Sequence, residues 1–156
     1  MAVSPTTDEF RHLPPAKAQA FLGLIRGGET LARRLDDELE LRHGLSLREF
    51  EVLLFLAEFS PDGCNRMANL NVQAPLSQSR MSRLVADLEG RGWVTRTRAE
   101  EDGRGVSVTI TAAGRQKFKA AQATHLEDLD RFFFSKLNQT EVRQLAAITS
   151  KLLEDR

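Results

Sequence analysis

Six arginines lie between residues 66 and 98, a segment with only two carboxylates in a chain whose formal net charge is zero. These arginines are Arg66, Arg80, Arg83, Arg91, Arg96 and Arg98. A guanidinium donates paired hydrogen bonds to phosphates and to guanine edges. The segment also holds four neutral side chains that can bond phosphates and base edges, Ser77, Gln78, Ser79 and Ser82. It therefore has the chemistry of a nucleic-acid contact, with GC-rich codon usage as the alternative explanation of its arginine content.

A helix is predicted to carry these side chains. Apolar residues fall at i, i+3, i+4 and i+7: Met81, Leu84, Val85 and Leu88. This spacing predicts a buried stripe, with Ser79 and Arg83 on the opposite face. Ser77 can cap the N-terminus of the helix, and Gly92 can supply the left-handed residue that ends it.

Two strands are predicted after Gly92, at residues 93–98 and 106–110. Apolar or aromatic residues alternate there with Thr, Ser and Arg, which suits strands with one buried face. The loop between them contains Asp102 and Arg104. The aspartate can accept a charge-assisted hydrogen bond from the guanidinium and hold it extended. A helix followed by a β-ribbon tipped with arginine is the layout of a winged helix-turn-helix.

The segment resembles the MarR family of bacterial transcription regulators. The matching residues are Leu76 and Ser77, Arg83 to Val85, Leu88 and Glu89, Gly92, Asp102 and Arg104, and Thr111 to Gly114. The resemblance extends over the chain from about residue 16. It implies a mainly α fold with a small β-ribbon, in which N- and C-terminal dimerisation helices flank the winged helix-turn-helix. The chain departs from the family at Asn71, usually small and apolar, and at Pro75, usually glycine, so the angle between the two helices of the motif is left open.

The chain is expected to divide into four parts. Residues 1–15 form a flexible arm, 16–44 an N-terminal dimerisation helix, 45–112 the winged helix-turn-helix, and 113–156 the C-terminal dimerisation helices. A helix from residue 16 to about 42 is interrupted by Gly23, Gly27 and Gly28, which permit a kink or a close helix approach.

Capping patterns mark three further helices. Ser46 to Glu49 and Asn138 to Glu141 have the spacing of capping boxes. Asn65 can cap a short helix before the turn at Pro75, and another long helix is expected from Gly114 to about Ser135. The terminal helices carry more apolar surface than a small winged domain can cover, so a homodimer is predicted. The alternative is a monomer whose terminal helices close its own core.

The family pattern implies roles for individual residues. The candidates for major-groove base edges, or for the phosphates beside them, are Gln78, Ser79, Arg80 and Arg83. The candidates for holding the DNA backbone are Ser77, Ser82, Arg96 and Arg98. Arg104 is the candidate for minor-groove insertion, with Asp102 orienting it.

Several of these candidates have a structural alternative. Arg83 can pair with Asp87 one helical turn on. Ser77 can serve only as a cap, and Arg96 can be a solvated strand residue. Contacts, rather than spacing, decide between these alternatives.

Other chemistries find little support in the sequence. His12, His43 and His125 are far apart, and no nucleophile motif, metal-ligand spacing or phosphate-binding glycine loop is present, so neither an enzyme nor a metal or cofactor site is predicted. One cysteine excludes a disulfide framework and suits a reducing compartment. With no membrane span or signal peptide recognised, a cytoplasmic protein is expected. A redox response through Cys64, or a metal response through histidines of two subunits, is a minor alternative.

The predicted function is a homodimeric, sequence-specific DNA-binding regulator, a repressor of its own or a neighbouring operon that binds a pseudo-palindromic site in double-stranded DNA. The resemblance implies release by a small effector. The candidate lining residues for that ligand are Phe21, Ile25, Arg26, Phe50, Leu54 and Trp93, although core packing would explain every apolar one of them. The alternative function, favoured by the neutral net charge, is a winged-helix protein-interaction module that does not bind DNA.

Overall fold

A computed structural model of the chain describes residues 12–73, 76–98 and 105–154. Within these ranges the fold is mainly helical, as predicted, and it contains one small antiparallel sheet of three strands. The elements are α1 (Pro15–His43), α2 (Leu47–Glu58), β1 (Cys64–Arg66), α3 (Met67–Gln73), α4 (Gln78–Gly90), β2 (Val94–Arg98), β3 (Val106–Ile110), α5 (Ala112–Phe132) and α6 (Gln139–Leu153). In the described parts of the chain, no helix has the length and hydropathy needed to cross a membrane.

Helix α1 is continuous through its three internal glycines. A Cβ atom added at Gly23, Gly27 or Gly28 would meet no atom within 4 Å, so these positions do not serve a close approach within the described part of one chain. The helix ends at Gly44, whose φ of 63° is the left-handed conformation that glycine adopts without strain.

Helix α2 begins at the predicted capping box. The Ser46 hydroxyl accepts a hydrogen bond from the backbone N–H of Glu49, and the Glu49 carboxylate accepts one from the N–H of Ser46 at 2.8 Å. Two N–H groups that lack helical partners are thereby satisfied. The helix is then buried on several sides, through Phe50, Val52 and Leu56 among others. It forms the centre of the winged domain.

Strand β1 was not predicted. It pairs with β3, so that the strand order is β1-β3-β2, and Asn65 lies opposite Val108. The prediction that Asn65 caps α3 is wrong, because its side-chain oxygen accepts no hydrogen bond from a backbone N–H of that helix. Its Oδ1 atom accepts hydrogen bonds from the backbone N–H of Arg66 and from the Asn69 side chain. Pairing across more than forty residues of sequence decided its conformation.

A single hydrophobic core joins the helices and the sheet. Its fully buried members include Leu39, Leu45, Phe50, Leu53, Leu56, Leu70, Met81, Val85, Leu88, Val94, Val108 and Phe118. Strand β3 alternates, with Val108 and Ile110 buried, whereas β2 has only Val94 buried. The expected buried face along β2 is therefore wrong beyond its first residue. The ribbon formed by β2 and β3 leaves the core there.

Helices α5 and α6 differ from the prediction mainly at their ends. Helix α5 begins at Ala112, capped by the Thr111 hydroxyl, and stops at Phe132 before a short 3-10 turn at Phe134–Lys136. The predicted capping box at Asn138 is present and opens α6. Helix α6 contains no buried residue, and Ile148, Leu152 and Leu153 are each more than half exposed. The described part of one chain leaves this apolar face uncovered.

Candidate nucleic-acid interface

Helix α4, the recognition helix, has the two faces predicted for it. The Ser77 hydroxyl caps it by accepting a hydrogen bond from the backbone N–H of Arg80. Met81, Val85 and Leu88 are buried in the core, and Leu84 packs against it. The buried stripe holds the helix to the domain, so the opposite face is presented to solvent.

The predicted DNA contacts of this helix all lie on its exposed side. They are Ser77, Gln78, Ser79, Arg80, Ser82 and Arg83. Among the described residues, neither Arg80 nor Arg83 forms an ion pair, and the alternative pairing of Arg83 with Asp87 is not formed. Both guanidiniums are therefore available to an incoming phosphate or base.

The turn before the recognition helix is held by Asn71. Its Oδ1 atom accepts a hydrogen bond from the backbone N–H of Leu76 at 3.0 Å. This contact links the end of α3 to the start of α4, and an apolar side chain at this position could not make it. Pro75, expected to force the turn, lies outside the described residues.

The wing, strands β2 and β3, carries two of the predicted contacts. Arg98 is exposed at the end of β2. The Arg96 side chain is held instead by Glu89 of the recognition helix, with Nε and Nη2 each 2.8 Å from the same carboxylate oxygen. Arg96 is therefore exposed to solvent, as the alternative hypothesis has it, but its side chain is also bound to the recognition helix. Asp102 and Arg104 lie outside the residues that the structure describes.

Arg91 has a structural role that spacing did not indicate. Its guanidinium bonds the Glu49 carboxylate and donates a hydrogen bond to the carbonyl oxygen of Gly44 at 2.7 Å. It also stacks over the Trp93 ring, 4.7 Å from the centroid. The contacts join the end of the recognition helix to the end of α1 and the first turn of α2, forty-two or more residues earlier. Glu49 is 7% exposed in the structure, and no spacing pattern in the sequence links it to Arg91.

The six predicted ligand-lining residues are not gathered around one cavity. Phe50 is 2% exposed, with its ring centroid 4.6 Å from that of His125, so core packing accounts for it. Leu54 lines a hollow of about 220 Å³ on α2, whereas Phe21 and Ile25 lie about half exposed on α1. Arg26 is also exposed on α1, and Trp93 is half-buried under Arg91. A larger groove of about 460 Å³ has other lining residues, Phe134, Leu137, Gln139, Val142 and Arg143.

The histidines and the cysteine have separate environments. His43 hydrogen-bonds the Thr124 hydroxyl at 2.7 Å, and Cys64 is half-buried in β1 opposite Thr109. In the described ranges, no group of three His, Cys, Asp or Glu side chains is placed to hold a metal ion. A sensing role for Cys64 stays a hypothesis.

His125 makes the stability of the fold depend on pH. Burial lowers its pKa below the ordinary value of 6.5, and the nearby Asp128 carboxylate opposes this shift. Below pH 6.5 the unfolded chain therefore takes up a proton that the folded chain resists, so stability is retained above this pH and falls as the pH drops toward the folded-state pKa. The free energy of unfolding in urea should fall between pH 7.5 and 5.5 less steeply for His125→Leu than for the wild type. Equal slopes for the two proteins would contradict the lowered pKa of His125. Burial also lowers the pKa of His43, which adds the same pH dependence to the stability of both proteins.

Comparison with known proteins agrees with this architecture. Residues 43–105 match the MarR family. Sco3205 of Streptomyces coelicolor, a MarR family transcriptional regulator solved in complex with DNA, is 28% identical with a TM-score of 0.87, over 93% of this chain and 90% of that chain. AbsC of the same organism is 24% identical with a TM-score of 0.85, over 93% and 97%. A mutant MarR from E. coli, complexed with operator DNA, is 22% identical with a TM-score of 0.73, over 96% and 99%.

No curated protein sequence matches the chain. The family match covers the capped recognition helix and strand β2 of the wing, and the structural likeness to Sco3205 extends over nearly the whole chain. Residues 43–105 therefore match the MarR family of transcriptional regulators, and the chain resembles Sco3205, a regulator of that family, over nearly its whole fold.

Proposed function

We propose that this chain binds a pseudo-palindromic site in double-stranded DNA as a homodimer and represses transcription there. The observation that carries the proposal is the exposed face of the recognition helix, where Arg80 and Arg83 have no ion-pair partner among the described residues. A guanidinium without an intramolecular partner can pair with a guanine edge or a phosphate without first breaking an ion pair. Sco3205, which shares the fold, was solved with DNA.

The uncovered apolar surface of the terminal helices supports the homodimer. Helix α6 exposes Ile148, Leu152 and Leu153, and α1 exposes Leu24 and Ile25. A second copy burying these faces would remove apolar area from water and place two recognition helices on one side of the assembly. Two such helices suit half-sites separated by about one turn of the duplex.

The remaining contact roles belong to the same proposal. Ser77, Ser82 and Arg98 would hold the DNA backbone, and Arg104, oriented by Asp102, would enter the minor groove. Release by a small ligand requires that the ligand favour a spacing of the recognition helices that does not fit DNA. Since one chain does not assemble the six expected lining residues, we place any such site between the subunits of the dimer.

An affinity measurement with Arg83→Ala tests the proposal. A fluorescein-labelled duplex, selected by the wild-type protein from a random-sequence library, would be titrated by fluorescence anisotropy across a salt series. Loss of one bidentate base contact should weaken binding by about 5- to 150-fold, equivalent to about 1–3 kcal/mol. Affinity of the wild type should fall steeply with salt because phosphate contacts release counterions.

Lys119→Ala is the matched control, because it removes one positive charge from an exposed site on α5 outside the proposed interface. Its affinity should equal that of the wild type. Failure of the selection to enrich any sequence, or binding that does not respond to salt, would overturn DNA recognition. Either result would favour the protein-interaction module.

A further inference from the structure

The recognition helix and the wing strand are joined by one carboxylate. Strand β2 lies at the edge of the sheet and pairs only with β3, where Arg96 is opposite Val108. The backbone N–H of Arg96 donates to Glu89 Oε1 at 2.9 Å, while its guanidinium Nε and Nη2 each lie 2.8 Å from Oε2. A single carboxylate therefore binds both the main chain and the side chain of Arg96, and the bonds to Oε2 are charge-assisted, which makes them stronger than bonds between neutral groups.

This contact contributes little to stability as a surface ion pair. Both side chains are about one-third exposed, and solvent screens such pairs so that they add little to stability. Hydrogen bonds from Arg96, first from its side chain and then from its backbone, lower the pKa of Glu89 below its ordinary value, so the carboxylate is charged at neutral pH. A negative charge beside the recognition helix would by itself repel DNA. Neither stability nor attraction to DNA therefore accounts for a carboxylate at this position.

The Glu89 carboxylate instead helps to set the direction of strand β2. The turn at Gly92 fixes where the strand begins. The Trp93 N–H donates a hydrogen bond to the Leu88 carbonyl oxygen at 3.0 Å, and the Gly92 N–H donates one to the Glu89 carbonyl oxygen at 2.9 Å. Beyond Val94 no residue of β2 is buried, so core packing on this strand does not set its angle to the helix. Along its length β2 is also paired with β3, and the bond from Arg96 to Glu89 is the link that joins this ribbon directly to the recognition helix, two residues before the exposed Arg98.

We infer that Glu89 is a positioning residue for DNA binding, holding the wing strand through Arg96 at a fixed angle to the recognition helix so that Arg98 meets the duplex while α4 lies in the major groove. The inference rests on the proposed function. It assigns Arg96 to positioning in place of the backbone contact expected from the sequence.

The sign of the effect of Glu89→Ala tests this role. Removing a negative charge beside DNA should strengthen binding by simple electrostatics. Loss of positioning should instead weaken binding to the selected duplex by about tenfold, comparable to losing one well-placed contact. Glu89→Gln keeps an oxygen that can accept from the Arg96 N–H, so its affinity should lie between those of Glu89→Ala and the wild type. Unchanged or tighter binding by Glu89→Ala would overturn the inference.

Arg96→Ala distinguishes positioning from a direct phosphate contact. A residue that contacts phosphate reduces the slope of log affinity against log salt by about one when it is removed. A positioning residue acts through Arg98, so adding Arg96→Ala to an Arg98→Ala protein should change neither the affinity nor the slope further. The Glu89→Ala, Arg96→Ala double variant should bind as weakly as either single variant, since both remove the same contact. A further loss of affinity or slope when Arg96→Ala is added to Arg98→Ala, or additive losses in the Glu89→Ala, Arg96→Ala double variant, would overturn the positioning role.

Amide exchange checks the contact without DNA. The Arg96 N–H should exchange at least about tenfold faster in Glu89→Ala than in the wild type, while amides in the buried part of α4 keep their protection. Unchanged exchange at Arg96 would overturn the positioning role even in a protein that binds DNA. Failure of the proposed function is seen separately, as loss of selectable DNA binding by the wild type.

Discussion

Replacement of Gly114 by alanine should destabilise the fold strongly, although it adds only one methyl group. The added Cβ atom would lie 2.1 Å from the carbonyl oxygen of Trp93 and 2.9 Å from Ile110 Cγ1. The first of these is a backbone atom, held at 3.0 Å by the N–H of Thr111, so it cannot rotate away as a side chain can. Overpacking at such a site costs about 3 kcal/mol, which lowers Tm by about 6–12 °C for a chain of this size.

Gly90→Ala is the matched control, because the same change is made at the end of the recognition helix in open space. In the part of the chain that the structure describes, no neighbouring atom lies within 4 Å of a Cβ at this position. Alanine should therefore stabilise the helix by up to about 0.5–1 kcal/mol through its higher helix propensity. Thermal unfolding of both variants at one protein concentration measures the difference. A Gly114→Ala protein as stable as the wild type would show that α5 does not begin against Trp93.

Arg91→Ala should have the second largest effect. It removes the partner of the buried Glu49 carboxylate, together with the hydrogen bond to the Gly44 carbonyl and the stacking on Trp93. Breaking a fully buried pair costs about 3–5 kcal/mol, and the partial exposure of the arginine reduces the expected loss to about 2–3 kcal/mol. Urea unfolding would measure it as a lower midpoint with an unchanged slope.

Arg48→Ala tests whether burial is the cause. Arg48 pairs with Glu51 at 2.7 Å on the same helix as Glu49, but this pair is exposed. Its removal should change stability by less than about 0.5 kcal/mol. Equal losses for Arg48→Ala and Arg91→Ala would contradict the argument, since both changes delete one arginine from one ion pair.

The features that were predictable from sequence are those set by residues close together in the chain. The capping boxes at Ser46 and Asn138, and the cap at Ser77, depend on side chains that reach a backbone group three residues away. The buried stripe of α4 and the glycine turn after it likewise follow from local spacing. Such interactions form wherever the helix forms, so they need no knowledge of the rest of the fold.

Features that depend on distant pairing were missed or misassigned. Asn65 has the residue type of a helix cap, but pairing with Val108 places it in a strand. Phe50 was a candidate ligand contact, but it is enclosed by the core beside Phe118 and His125. In both cases the deciding partner lies more than forty residues away, and periodicity within one element contains no information about it.

The arginines of the candidate interface show the same division. Sequence by itself determined that residues 66–98 concentrate arginine around an amphipathic helix that is followed by two short strands. Only the tertiary structure decided which arginines already have partners: Arg91 is bound to Glu49 and Arg96 to Glu89, while Arg80 and Arg83 form no ion pair with the described residues. The reason is physical, because a guanidinium bonds whichever carboxylate the fold brings within about 3 Å, and that distance is set by packing between elements and not by spacing along one of them.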